Sequence, residues 1–188
     1  MNRSCRLSNV TKDYLTEFHC ILEEMIEGMT SAELSNSISY NFIVQMIPHH
    51  EAAIRMSRNI LKYTTCVPLQ DIAENIVSEQ TKSIADMRSI LVSCKGQTDS
   101  DRDLCLYQRR TDRIMQTMFT KMGIAYTTNE INADFMNEMI PHHKGAIEMS
   151  ENTLQFAICP GLIPVLESII TSQKRGIAEM QQLLRCMR

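Results

Sequence analysis

Apolar residues recur along this chain at intervals of three and four, with polar residues between them. Leu15, Phe18, Leu22, Met25 and Met29 form one such stripe; Leu69, Ile72, Ile76, Ile84, Met87 and Leu91, interrupted by Gln80, form another. That spacing places each set on one face of an α-helix. The stripes predict helices over about 12–29, 34–63 and 69–92, then 104–122, 130–157 and 162–187. Alternating β-branched runs and Asn-Gly turns are absent, so no strand is expected. Thr30-Ser31 and Thr127-Thr128-Asn129 offer N-cap side chains ahead of the second helix of each set. Pro68 and Pro160-Gly161 interrupt the chain ahead of the third.

The two sets of helices are copies. Shifted by 93 positions, Phe42, Met46, Ile47, Pro48, His49 and His50 fall without a gap on Phe135, Met139, Ile140, Pro141, His142 and His143. The match continues through Met56 on Met149, Asn59 on Asn152, Cys66 on Cys159, Gln80 on Gln173 and Met87 on Met180, and more weakly upstream through Tyr14 on Tyr107. Such a correspondence implies duplication. It predicts an all-α protein of two tandem repeats of about three helices, packed with approximate two-fold symmetry. Residues 12–95 form the first repeat and 105–188 the second, joined by a polar linker over 96–104 that begins with Gly96. One repeat alone is near the size at which a single core becomes marginal, so residues 1–188 are expected to pack as one domain.

Composition narrows the function. In 188 residues, 44% are apolar and 22% charged, which is ordinary for a globular protein and argues against disorder. The net charge is −3 with both signs scattered, so nucleic acid is not an expected partner. No segment has the length and apolarity of a membrane span, and residues 1–10 are polar, so no membrane partner and a cytoplasmic location are expected. Self-assembly into a homo-oligomer stays open. The seven cysteines (Cys5, Cys20, Cys66, Cys94, Cys105, Cys159 and Cys186) are odd in number and form no CxxC; they read mostly as reduced thiols.

Methionine and histidine change the picture. There are 14 Met and no Trp, and four of the five His occur as two His-His pairs. On a helix, Met46 lies one turn before His49 and His50, and all three fall on a mostly apolar, core-facing surface. Met56 lies two turns past His49, about 10 Å along the axis. Neighbouring side chains point about 100° apart, so one His-His pair is expected to chelate poorly alone. The second repeat supplies Met139, His142, His143 and Met149. Imidazole with thioether suits Cu(I) best; zinc, which prefers Cys or carboxylate beside His, and iron, which prefers carboxylates, suit it less. If the helices run through Pro48 and Pro141, the freed carbonyls of Val44 and Asn137 could hold a second ring nitrogen; otherwise each proline starts a helix. The plainer reading makes the histidines hydrogen-bonded core residues, with Gln80 and Gln173 as ready partners. Met25, Met29, Met115, Met118 and Met122 read as core, Cys66 and Cys159 as packing residues, and Glu79, Glu167 and Glu179 as surface charges.

The pattern FxxxMIPHHxxAIxMSxNxL, present in both copies, resembles the domain-of-unknown-function 305 family, as does QxxxIxxM at Gln80 to Met87 and Gln173 to Met180. The resemblance covers most of the chain from Phe42 onward. It implies a ferritin-like four-helix bundle and, as in some members, copper or silver binding. Carried over, it implicates His49, His50, His142, His143, Met46, Met139, Met56 and Met149. Many members carry export signals or lipid anchors, which this sequence does not show. No nucleophile at fixed spacing to His and no phosphate-binding glycine loop is present, so a metal-binding protein rather than an enzyme is expected. The alternative is a metal-free structural or protein-interaction bundle. Ligation by ordinary imidazoles would weaken as pH falls through about 6.5.

Overall fold

The computed structural model describes residues 7–125 and 127–187; Cys5 lies outside them. Among the described residues all regular structure is helical. Six α-helices follow one another: α1 (Asn9–Thr30), α2 (Ile38–Leu61), α3 (Val67–Lys95), α4 (Asp101–Gly123), α5 (Ile131–Thr153) and α6 (Ile163–Cys186), with a 3-10 turn over Pro160–Leu162 before α6. Among the described residues no helix is long and apolar enough to cross a membrane.

The helix order is as the stripes predict; several boundaries are not. Thr30-Ser31 closes α1 rather than opening α2: the Ser31 amide and hydroxyl both donate to the Glu27 carbonyl. The N-cap of α2 is Ser37, whose hydroxyl accepts from the Tyr40 amide. The irregular stretch before α2 is held by a side chain from the first turn of the helix itself, because the Asn41 amide oxygen accepts the Ser35 N–H at 2.7 Å. Asp134 does the same in the second half, accepting the Thr128 N–H at 2.9 Å, while the N-cap residue Glu130 makes no capping bond. Ser100 caps α4, so the connection between halves shortens to residues 96–100. Pro68 sits in the first turn of α3, where its missing N–H costs nothing.

Pro48 and Pro141 lie inside α2 and α5, and both helices run through them. At the first, α1 comes so close that a Cβ on Gly28 would stand 2.9 Å from the Pro48 Cβ, so this approach requires glycine. The two proline-bearing helices pack on each other, α1 and α3 flank α2, and α4 and α6 flank α5; α3 also packs on α6. Asn59 ties α2 to α1 through the Tyr14 carbonyl at 2.9 Å, and Asn152 ties α5 to α4 through the Tyr107 carbonyl at 3.4 Å. Met25, Met29, Met115, Met118 and Met122 are buried in the core, as their spacing predicts.

Candidate metal centre

All eight candidate residues lie in the core, on α2 and α5. His49, His50 and His142 are 0% exposed and His143 2%; Met46, Met56, Met139 and Met149 are equally enclosed. Packing of α2 on α5 brings the two histidine pairs together. The His49 and His142 rings stack with centroids 3.6 Å apart and planes 28° from parallel. Each ring also reaches across the seam: His49 Nε2 stands 3.2 Å from the His142 carbonyl oxygen, and His142 Nε2 stands 3.1 Å from the His49 carbonyl oxygen. The freed carbonyls of Val44 and Asn137 are thus not the acceptors for these two rings; the opposite helix provides them. Gln80 and Gln173 do not serve either: both Gln80 amide atoms and the Gln173 amide oxygen are buried without a partner.

These bonds fix protons. A carbonyl only accepts, so His49 and His142 both carry hydrogen on Nε2, and their Nδ1 atoms hold lone pairs. His49 Nδ1 faces His50 Nδ1 at 3.5 Å, so without an ion His50 donates from Nδ1 and its Nε2 is left as a lone pair. That His50 Nε2, His142 Nδ1 and His143 Nδ1 are all buried with no hydrogen-bond partner. Orphaned buried nitrogens are costly, and three in one cluster ask for an explanation.

Two nitrogens 3.5 Å apart have the separation expected when each is about 2.0–2.1 Å from one ion at an angle of about 120°. Even so, among the described residues no group of three or more His, Cys, Asp or Glu stands ready to hold a metal ion. Two ring nitrogens are engaged by carbonyls, and further ligands from this core would be the soft thioethers.

Burial keeps the rings neutral. It pushes His50 down to about 3 and His142 to about 4, the latter partly offset by its bond to the His49 carbonyl; the His142 ring adds to the effect at His50. His49 and His143 are likewise held well below the usual range by burial and then by the other rings. Protonation of these rings therefore moves far below the ordinary value near 6.5.

One titratable group escaped the sequence reading. Glu138, one turn before His142, is 3% exposed and accepts a 2.7 Å hydrogen bond from the Tyr14 hydroxyl across the seam. Burial pushes its carboxyl up to about 8, with Asp134 adding to the rise and the Tyr14 bond opposing it. Its counterpart at the shift of 93 is Gln45, also buried, whose amide donates to the Met29 carbonyl. A polar residue at the same place on an apolar face in both copies was the available signal.

The comparisons with known proteins bear on kinship rather than chemistry. No curated protein matches this chain. The crystal structure of a DUF305 fragment from Deinococcus radiodurans is similar in fold, with a TM-score of 0.57 at 19% sequence identity, covering 78% of this chain and 95% of that one. The family model described as "Domain of unknown function (DUF305)" matches residues 39–184, a stretch that holds both histidine pairs and all four candidate methionines, and the chain therefore belongs to the DUF305 family.

Proposed function

We propose that this protein binds and sequesters a soft or borderline metal ion, Cu(I) by preference, with His49, His50, His142 and His143 as nitrogen donors and Met46, Met139, Met56 and Met149 as the pool of thioether donors. The observation that carries this reading is the set of three buried imidazole nitrogens without partners, beside an Nδ1 pair 3.5 Å apart. For both Nδ1 atoms of that pair to face one ion, the His50 proton moves to Nε2; the ring stays neutral, as ligation needs. Bound Cu(I) would supply positive charge to a core of neutral rings and sulfurs. Complete enclosure of the candidates favours holding an ion over turning over a substrate.

A second reading, a metal-free bundle with structural histidines, draws on the ring stack and the paired Nε2–carbonyl contacts. The two separate in an anaerobic titration with Cu(I), Zn(II) and Fe(II) against a competing chelator. Wild type should hold Cu(I) most tightly, and a variant with all four paired histidines changed to Ala should lose at least about 100-fold in affinity, the scale of losing one or two ligand interactions. Equal Cu(I) affinity in the two folded proteins would refute the proposal and leave the structural reading.

A further inference from the structure

Two cysteines outside the histidine cluster are buried together at the junction of the halves. Cys94 lies in the last turn of α3 and Cys159 just before the 3-10 turn that leads into α6; they are 0% and 8% exposed. Both backbones are held by one short segment at the start of α2. The Ser37 hydroxyl donates to the Cys94 carbonyl at 2.7 Å, and the Cys159 amide donates to the Ser39 hydroxyl at 2.9 Å. The flanking chain is tied as well: the Gln97 side chain donates to the Ala157 carbonyl at 2.9 Å, and the Asp99 carboxylate accepts the Ile38 amide at 2.8 Å. Within this frame the Cys159 thiol lies near enough to the Cys94 thiol to act on its ionisation. Sequence alignment of the repeats pairs Cys159 with Cys66 instead; packing gives it a different neighbour.

We propose that Cys94 and Cys159 are a redox pair whose disulfide latches the end of α3 in the first half to the α5–α6 connection in the second. The oxidant is a small-molecule disulfide such as oxidised glutathione. Cys159, the more exposed, attacks one of its sulfurs as the thiolate and expels one thiolate. Cys94 then gives up its proton, attacks the Cys159 sulfur and expels the second. Two protein S–H bonds and one external S–S bond are lost; one protein S–S bond and two external thiols are gained. Burial and the neighbouring thiol push Cys94 up to about 12. Cys94 is consequently a slow leaving group, so the closed latch reopens slowly, as befits a clamp more than a catalytic dithiol.

The test uses two proteins. Wild type is incubated with oxidised glutathione, alkylated under denaturing conditions without reductant, digested and mapped by mass spectrometry. A variant with Cys5, Cys20, Cys66, Cys105 and Cys186 changed to Ser is treated alike and its thiols counted. The Cys94–Cys159 linked peptide should appear in wild type. The variant should fall from two free thiols to none, and its thermal midpoint should rise by about 5–10 °C. Free thiols at both positions, glutathione retained on Cys159, or a Cys66–Cys159 link would overturn the proposal. The wild-type arm stands even if the variant does not fold.

Discussion

The two halves place the same histidine pair at the same point of the same helix and then surround it differently. In the first half, Gln45 lies one turn ahead of His49 and Ser83 occupies α3. In the second, Glu138 and Gly176 stand at the matching positions. Glu138 gives the second half a buried carboxyl pushed up to about 8, where the first half carries the amide of Gln45. Gly176 lets the His143 ring lie on the α6 backbone, since an added Cβ would meet Cδ2 and Nε2 at 3.0 Å. Ser83 brings a Cβ and a buried hydroxyl without a partner. The imidazoles are thus the same in both halves, while the residues that adjust their charge and fit differ.

The largest expected effect tests what the halves share. All four paired histidines have folded pKa values below the unfolded value near 6.5, so between that value and about 4 the unfolded chain binds more protons. Their stabilising contribution is complete above about 6.5 and is lost as pH falls toward the folded values, by up to about 1.4 kcal/mol per pH unit for each ring. Urea midpoints measured from pH 7 to 4 should drop steeply; a flat profile would show that the rings are not enclosed as described.

Glu138→Gln sharpens the contrast between halves. The carboxyl has a raised folded pKa, so its contribution is complete below about 4.5 and lost as pH rises through about 8. Replacing it with the residue already present at Gln45 keeps an acceptor for Tyr14 and should stabilise the protein by about 4 kcal/mol at pH 8, with a much smaller change at pH 5. Equal effects at the two pH values would contradict a buried, ionising carboxyl. The smallest pair has opposite signs: Gly176→Ala should destabilise by about 1 kcal/mol, because the enclosed His143 ring cannot yield, whereas Ser83→Ala should stabilise by about 0.5 kcal/mol by removing an orphaned hydroxyl. Thermal denaturation of both variants in parallel reads this, and a shared sign would remove the asymmetry.

Periodicity made the six helices legible, and the exact repeat made the two histidine pairs legible as core residues of equivalent helices. Local chemistry was less readable. Thr30 and Ser31 look like caps but close the preceding helix, because the holding group for the next is Asn41, six residues past Ser35 and already inside α2. The ring stack and the exchange of Nε2–carbonyl contacts depend on the register of α2 against α5, which no spacing within either helix encodes. Gln80 and Gln173 have the right polarity and the wrong reach. Cys94 has no cysteine counterpart in the second copy, so repeat reasoning passed over a thiol that neighbours Cys159.

Copper-edge X-ray absorption on the Cu(I)-loaded, oxygen-free protein tests the central claim most directly. A shell containing imidazole nitrogen together with sulfur, lost in the variant lacking all four paired histidines, is the expected result. A sulfur-only shell, or a spectrum unchanged by removing those histidines, would contradict it.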